Sequence, residues 1–269
     1  MPAEDPTSRE SRRFRLTVWL IWLALLLGLA GACAGLHLDF SFVAQKLPFL
    51  LGLRLSPDGF IQGAALTIFV TACSMIVALL VALLTAFGRM SKNPLAFALA
   101  TFYASLFRGT PLLVQVLIIY LALPQVGIVL GALSSGLIAL SLNYGAYLAE
   151  TIRSGVMSVP AGQREAATAL GLPRRVIVWK VIAPQAMRLI IPPAGAQFVS
   201  MLKDSSLVSL MGLWELNFLA QSYARATYHY MEMLVTAALI YWAMSIVFEI
   251  VQYRLERRFG RGIDAAGRH

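Results

Sequence analysis

Charged and polar side chains set within apolar runs are the residues of this chain best placed to do chemistry. Arg108, Asn143 and Lys203 sit on three different runs. At 1.5 Å per helical residue from the basic end of each run, Arg108 lies roughly 20 Å deep, Lys203 at a similar or slightly greater depth and Asn143 roughly 15 Å deep. A charge there costs about 2.5–3.5 kcal/mol on insertion scales, so it belongs against protein or a watery cavity, where it can meet a polar solute. Gly109-Thr110-Pro111 and Ser205-Ser206 break helices and free backbone groups, which is tolerated at such depth only against protein or a cavity. The candidate path therefore comprises Arg108, Thr110, Asn143, Lys203, Asp204 and Ser205. The competing reading is structural, with Arg108 and Lys203 pairing with Asp204 or helix-end carbonyls to lock spans together. Adjacent Lys203 and Asp204 do not face one another on a helix and need separate partners.

The other chemically suggestive stretch is Ser158–Pro184, the one long segment without the composition of a membrane span. It reads as two short helices. Pro160 permits a start, Gly171 suits a C-terminal cap, Pro173 fits the first turn of the second helix, and that helix is expected to end before Pro184. Ala166, Ala167 and Ala169 give the first helix a low profile that lets a partner backbone approach. Val176, Trp179 and Ala183, at i, i+3 and i+7, give the second an apolar stripe. The alternative is a hairpin lying on anionic headgroups through its arginines.

Other chemistry is thinly represented. The chain contains neither a G-x-x-x-x-G-K-[ST] phosphate loop nor a G-x-G-x-x-G fingerprint, which argues against ATP hydrolysis by this chain. His37, His229 and His269 have no metal-ligand spacing, and a Ser-His nucleophile pair would have to use His37 or His229 near the outer surface. Cys33 and Cys73 fall in apolar runs and read as inert buried thiols. The G-x-x-x-G spacings at Gly31 to Gly35 and Gly127 to Gly131 read as span packing.

The elements that must position these residues are membrane helices. The 269 residues are 59% hydrophobic and 13% charged, far from the balance of a soluble domain. Runs of about 20 apolar residues end at Arg, Lys, Pro or Gly, which predicts an all-α bundle of about six spans and excludes a barrel. A tail at 1–15 precedes a first span at 16–36, whose length favours an uncleaved helix over a signal peptide. An outer interfacial segment follows at 37–58. Further spans are expected at 59–87, 95–123, 128–152, 189–213 and 231–253, with a basic loop at 154–187, an outer segment from Trp214 to Tyr230 and a tail at 256–269. The formal charge of +9 collects in alternate connections, the positive-inside pattern, and this places both termini in the cytoplasm.

Glu165-Ala166-Ala167, Gly171 and Pro184 resemble the EAA loop of ABC-transporter permease subunits, with Val181 and Ala183 in place of its Ile and Leu. Leu106–Gln115, Asn143–Glu150, Ser158–Gln163, Leu202–Ser209 and the lead-in Asp39–Leu51 are similar to the polar-amino-acid branch of that family, so the likeness covers about residues 39 to 255. It implies a type I importer permease at 59–255 in the bacterial cytoplasmic membrane, moving polar L-amino acids inward, with the span at 16–36 an extension. It also implies a second permease copy or sister chain, a cytoplasmic ATPase pair carrying the ATP and Mg, an extracytoplasmic binding protein, and no cofactor in this chain. Gly162, Gln163, Glu165, Ala166, Ala167 and Gly171 are, by the same likeness, the ATPase-coupling residues. Two rivals remain: an ion-coupled secondary carrier using Arg108, Lys203 and Asp204, and a His-dependent membrane enzyme.

Overall fold

The computed structural model describes residues 6–35, 39–56 and 59–259. Eleven helices are numbered here in chain order, and among the described residues the only β pairing is an isolated bridge between Gly63 and Glu215. The chain divides into a unit at 1–45 and a unit at 46–269.

The first unit is dominated by α1 (Pro6–Gly35). The expected tail at 1–15 is helical from Pro6, because Thr7–Arg15 contains neither Gly nor Pro and the span's helix simply continues. Trp19, Leu20, Ile21, Trp22, Leu23 and Leu25 are all exposed, the all-round apolar surface of a helix that belongs in lipid. The helix α2 is Phe40–Leu50. His37, His269 and the ends of both expected tails lie outside the described residues, as does the side chain of Cys33.

The second unit is built on α3 (Gly63–Arg89) lying along α6 (Ala132–Met157). Ala78, Ala82, Ala139, Ala146 and Ala149 are fully buried, so small residues bring the two backbones close, as lipid-embedded helices require. At Gly145 an added Cβ would sit 3.1 Å from Val81 and 2.9 Å from the Tyr103 hydroxyl. Against this pair pack α4 (Pro94–Gly109) and α9 (Ala183–Asp204), and α11 (Tyr230–Phe259) packs on α9.

Three helical segments are long and apolar enough to cross a membrane: Gly63–Arg89, Arg174–Met211 and Tyr230–Arg257. The pair Pro94–Gly109 and Leu112–Val126 passes as a fourth, bent by 104° at its break. The single straight span expected at 95–123 is thus two helices, α4 and α5 (Leu112–Leu117), α5 continuing through a π turn to Val126. Pro111 has no N–H to continue α4 and drives Thr110 to an extended ψ of 144°, which turns the chain. At 26 residues, α6 is also long enough to span. Against the six spans expected, the described residues thus hold three clear spanning helices and one bent pair.

Helices α3 and α6 end, and α4 and α9 begin, at one end of the unit, which carries Arg89, Lys92, Arg153, Arg164, Arg174, Arg175, Lys180 and Arg188. At the other end, α10 (Leu216–Thr227) lies beside Gly63, whose N–H donates to the Trp214 carbonyl at 2.8 Å. Only glycine fits at 63: its φ is +62°, and a Cβ would meet the Leu50 carbonyl oxygen at 2.3 Å.

Candidate functional site

The break between α4 and α5 gathers Thr110, Gln115 and Asn143. Carbonyls freed there need donors, and two amides supply them. The Gln115 side chain donates to the Phe107 carbonyl at 2.9 Å, to the Thr110 carbonyl at 3.1 Å and to the Thr110 hydroxyl at 2.8 Å. Asn143, from α6, donates to the same Phe107 carbonyl at 3.2 Å and to Gln115 Oε1 at 3.1 Å. Thr110 and Asn143 are therefore brought together, with Gln115 between them, as the cap of a broken helix.

Arg108 stands beside this cap, but its side chain runs back toward the basic end. It reaches Glu150 of α6 at 3.2 Å, seven residues beyond Asn143. Depth counted along the backbone thus overstates the depth of its charge, because the flexible stem carries the guanidinium toward the basic end. Glu150 is also held by Arg89, from the last turn of α3, and by Arg153 at 2.5 Å. Three guanidinium groups share one carboxylate.

Asp204 and Ser205 lie in a neighbouring cluster. Tyr144, adjacent to Asn143 on α6, donates to Asp204 at 2.7 Å, while buried Ser205 donates to the Leu202 carbonyl at 2.7 Å. Lys203 is exposed on the surface of the unit and joins neither cluster. Of the six path residues, Thr110 and Asn143 thus share the cap, Arg108 turns to Glu150, Asp204 and Ser205 lie together at the end of α9, and Lys203 stands apart. Sequence reading missed Arg89, Gln115, Tyr144 and Glu150 as their partners. Glu150, an acid only two turns from the end of a spanning helix and followed by Arg153, was the available signal.

At the basic end, α7 (Ala161–Ala169) and α8 (Arg174–Val176) occupy the Ser158–Pro184 stretch. The cap at Gly171 is a Schellman motif: Leu172 N–H bonds the Ala167 carbonyl at 3.2 Å and Gly171 N–H bonds the Thr168 carbonyl at 2.9 Å, with φ of +70° at Gly171. Gly162, Gln163, Glu165, Ala166 and Gly171 are exposed, whereas Ala167 turns inward onto Val159, Ile177, Ile182 and Ala186. The alanine face is therefore split, one side open and one side seated.

The second helix departs from expectation in two ways. It does not stop before Pro184 but runs on through a π segment, Ile177–Ile182, into α9. The wider winding leaves room for a proline ring without a clash and needs no N–H there. Its buried residues are Ile177 and Ile182, five apart as the π winding dictates, while Trp179 of the expected stripe is 68% exposed.

At the opposite end, Glu215 is fully buried and caps α10, accepting from the Phe218 N–H at 2.7 Å and the Asn217 N–H at 3.0 Å. Tyr241 donates to it at 2.7 Å, tying α11 to α10, and Thr67 of α3 donates at 3.4 Å. Burial raises its carboxyl to about 7, against the pull of these donors. Among the described residues no cluster of His, Cys, Asp and Glu could hold a metal ion.

Residues 74–261 match a family described as the binding-protein-dependent transport system inner membrane component. The arginine transport system permease protein ArtQ of Bacillus subtilis (strain 168) is 33% identical over 224 residues, 83% of this chain and 98% of its own length. The L-cystine transport system permease protein TcyB of the same organism is 41% identical over 201 residues, 74% of this chain and 86% of its own. Among solved structures, an amino acid ABC transporter with histidines superposes with a TM-score of 0.75 at 35% identity, over 82% of this chain and 99% of that one. The methionine transporter MetNI, in an inward-facing conformation, shares the fold at 18% identity and a TM-score of 0.62, over 73% and 94%.

Proposed function

From the premise that this chain belongs to the binding-protein-dependent transport system inner membrane component family and is the permease component of an amino acid ABC importer, we propose how it is powered and what it meets. It carries polar L-amino acids into the cytoplasm across the bacterial cytoplasmic membrane, as a multi-pass subunit with its basic end and both termini inside. A separate ATPase pair hydrolyses ATP with Mg, an extracytoplasmic binding protein delivers the amino acid, and a second copy or a sister chain completes the permease.

The observation that carries this reading is α7. It is a short, Schellman-capped helix whose Gly162, Gln163, Glu165 and Ala166 are open while Ala167 is seated on the frame. It joins α6 on one side and, through α8, the continuous helix into α9 on the other. A push on such an element moves both spans as rigid bodies, which is what alternating access needs. Arg108, Thr110, Asn143, Lys203, Asp204 and Ser205 then border the path of the solute.

The test is coupling. Gly171→Asp leaves no steric clash, since nothing lies within 4 Å of the added Cβ, but it strains the φ of +70° by about 1–2 kcal/mol and spoils the cap. In proteoliposomes holding the assembled transporter, ATP-dependent amino-acid uptake is expected to fall at least tenfold while the variant still reaches the membrane. Full uptake by Gly171→Asp, together with no cross-link from Ala166→Cys to the ATPase, would remove the coupling role.

A further inference from the structure

We propose that the cavity between α3, α4 and α6 receives the α-carboxylate of the transported amino acid on the Arg108 guanidinium, with Glu150 as its resident counter-ion. The cavity holds about 390 Å³ and is lined by Arg89, Thr101, Ala104, Ser105, Arg108, Gly109 and Tyr147. That volume accommodates a single amino acid. Arg89, Arg108 and Arg153 all bond Glu150, so one negative charge meets three positive ones and the cluster has two to spare.

The surplus is not spread evenly. Glu150 Oε1 is taken by Arg153 at 2.5 Å, and Oε2 is shared between Arg89 and Arg108. Arg89 holds the closer contact; Arg108 is left with one hydrogen bond at 3.2 Å and a 39% exposed side chain. A guanidinium carries five donors in a planar fork, so most of the Arg108 fork is open to a second carboxylate. Tyr147 steadies it from below, with the guanidinium 5.6 Å from the ring centroid.

Ser105 adds a hydroxyl on the same helix face, one turn before Arg108. Gly109 has nothing within 4 Å where a Cβ would stand, which keeps the approach to the guanidinium open. Tyr147 is ten residues from Met157 and Arg89 ends α3, so the cavity runs from near the basic end to roughly 15 Å along α6. A small solute reaches that depth more readily than a phospholipid headgroup does. Glu150 holds the arginine aimed when the site is empty, and when the solute's carboxylate takes Arg108 it keeps Arg89 and Arg153 paired.

This inference rests on the import reading, and its test separates the two. The complete transporter is screened in proteoliposomes with the twenty labelled L-amino acids. ATP-dependent uptake of none removes the import reading and this site with it. For the imported amino acid, equilibrium binding to the purified permease–ATPase assembly, without the binding protein, is compared with that of its α-carboxamide. The wild type is expected to favour the acid at least tenfold, as a charge-assisted bidentate pair does. Arg108→Gln is expected to reduce that preference to within twofold, Arg108→Lys to keep part of it, and Glu150→Gln to strengthen acid binding severalfold by removing the competitor. Because each comparison is a ratio within one variant, partial misfolding does not mimic the result. Arg108→Gln retaining the full preference would overturn the site while leaving import intact. So would loss of retained anionic phospholipid in Arg108→Gln, seen by native mass spectrometry, with acid and amide unchanged.

Discussion

At the residue scale, two buried polar groups have different duties. Gln115 and Asn143 satisfy the carbonyls freed at the break, so Asn143→Leu removes the donor to Gln115 Oε1 and leaves the Phe107 carbonyl with Gln115 alone. A loss of about 1–3 kcal/mol is expected, read as a lowered unfolding midpoint of the detergent-solubilised protein. A midpoint unchanged in Asn143→Leu would make this amide dispensable to the kink. Glu215 is a pH-sensitive cap. Its folded carboxyl titrates near 7, above the ordinary 4.5, so the folded state binds the proton more tightly than the unfolded chain does. The stability contributed by Glu215 is then greatest below pH 4.5 and declines as pH rises through 7, because a charged Glu215 is desolvated at the junction of α3, α10 and α11. Thermal melts between pH 5 and pH 8 are expected to show the decline in wild type and a flatter profile in Glu215→Gln; parallel profiles would assign the pH dependence elsewhere.

Elements and residues were unequally legible in the sequence. The spans at 59–87 and 231–253 could be read because apolar runs bounded by charges have one physical explanation in lipid, and α3 and α11 occupy those positions. The cap at Gly171 was legible because a helix ending in glycine has a specific hydrogen-bond geometry. The 104° bend was signalled by Thr110-Pro111, yet the run of apolar residues on both sides gave no direction for the second half. The π segment was not legible, since Val176, Trp179 and Ala183 fit a 3.6-residue period and only tertiary packing of Ile177 and Ile182 selects the wider winding. Pairings of Arg89 and Arg108 with Glu150 depend on three helices meeting, which no local pattern states, whereas Arg153 is the i+3 neighbour of Glu150 on α6. A test at this scale is Gly145→Val, whose branches would collide with Val81 and Tyr103 between α3, α4 and α6. Destabilisation of about 1–3 kcal/mol is expected from overpacking, whereas Gly162→Val, in open space, is expected to leave stability within about 0.5 kcal/mol.

For the whole molecule, the bundle places a chemically quiet frame between two polar ends. The α3 and α6 pair is packed through alanines and glycines and has little freedom to deform, so motion must come from displacement of whole helices. On the import reading proposed above, α7, exposed at the basic end, would receive the push, and the polar groups bordering the solute's path would be those along α6 and α4. The most direct measurement is amino-acid uptake into proteoliposomes containing this chain assembled with its ATPase and binding protein. The account predicts uptake that requires ATP hydrolysis, persists when ion gradients are dissipated, and is lost in Gly171→Asp. Uptake by the purified chain alone without nucleotide, or uptake abolished by collapsing an ion gradient while ATP remains, would contradict it and favour a secondary carrier.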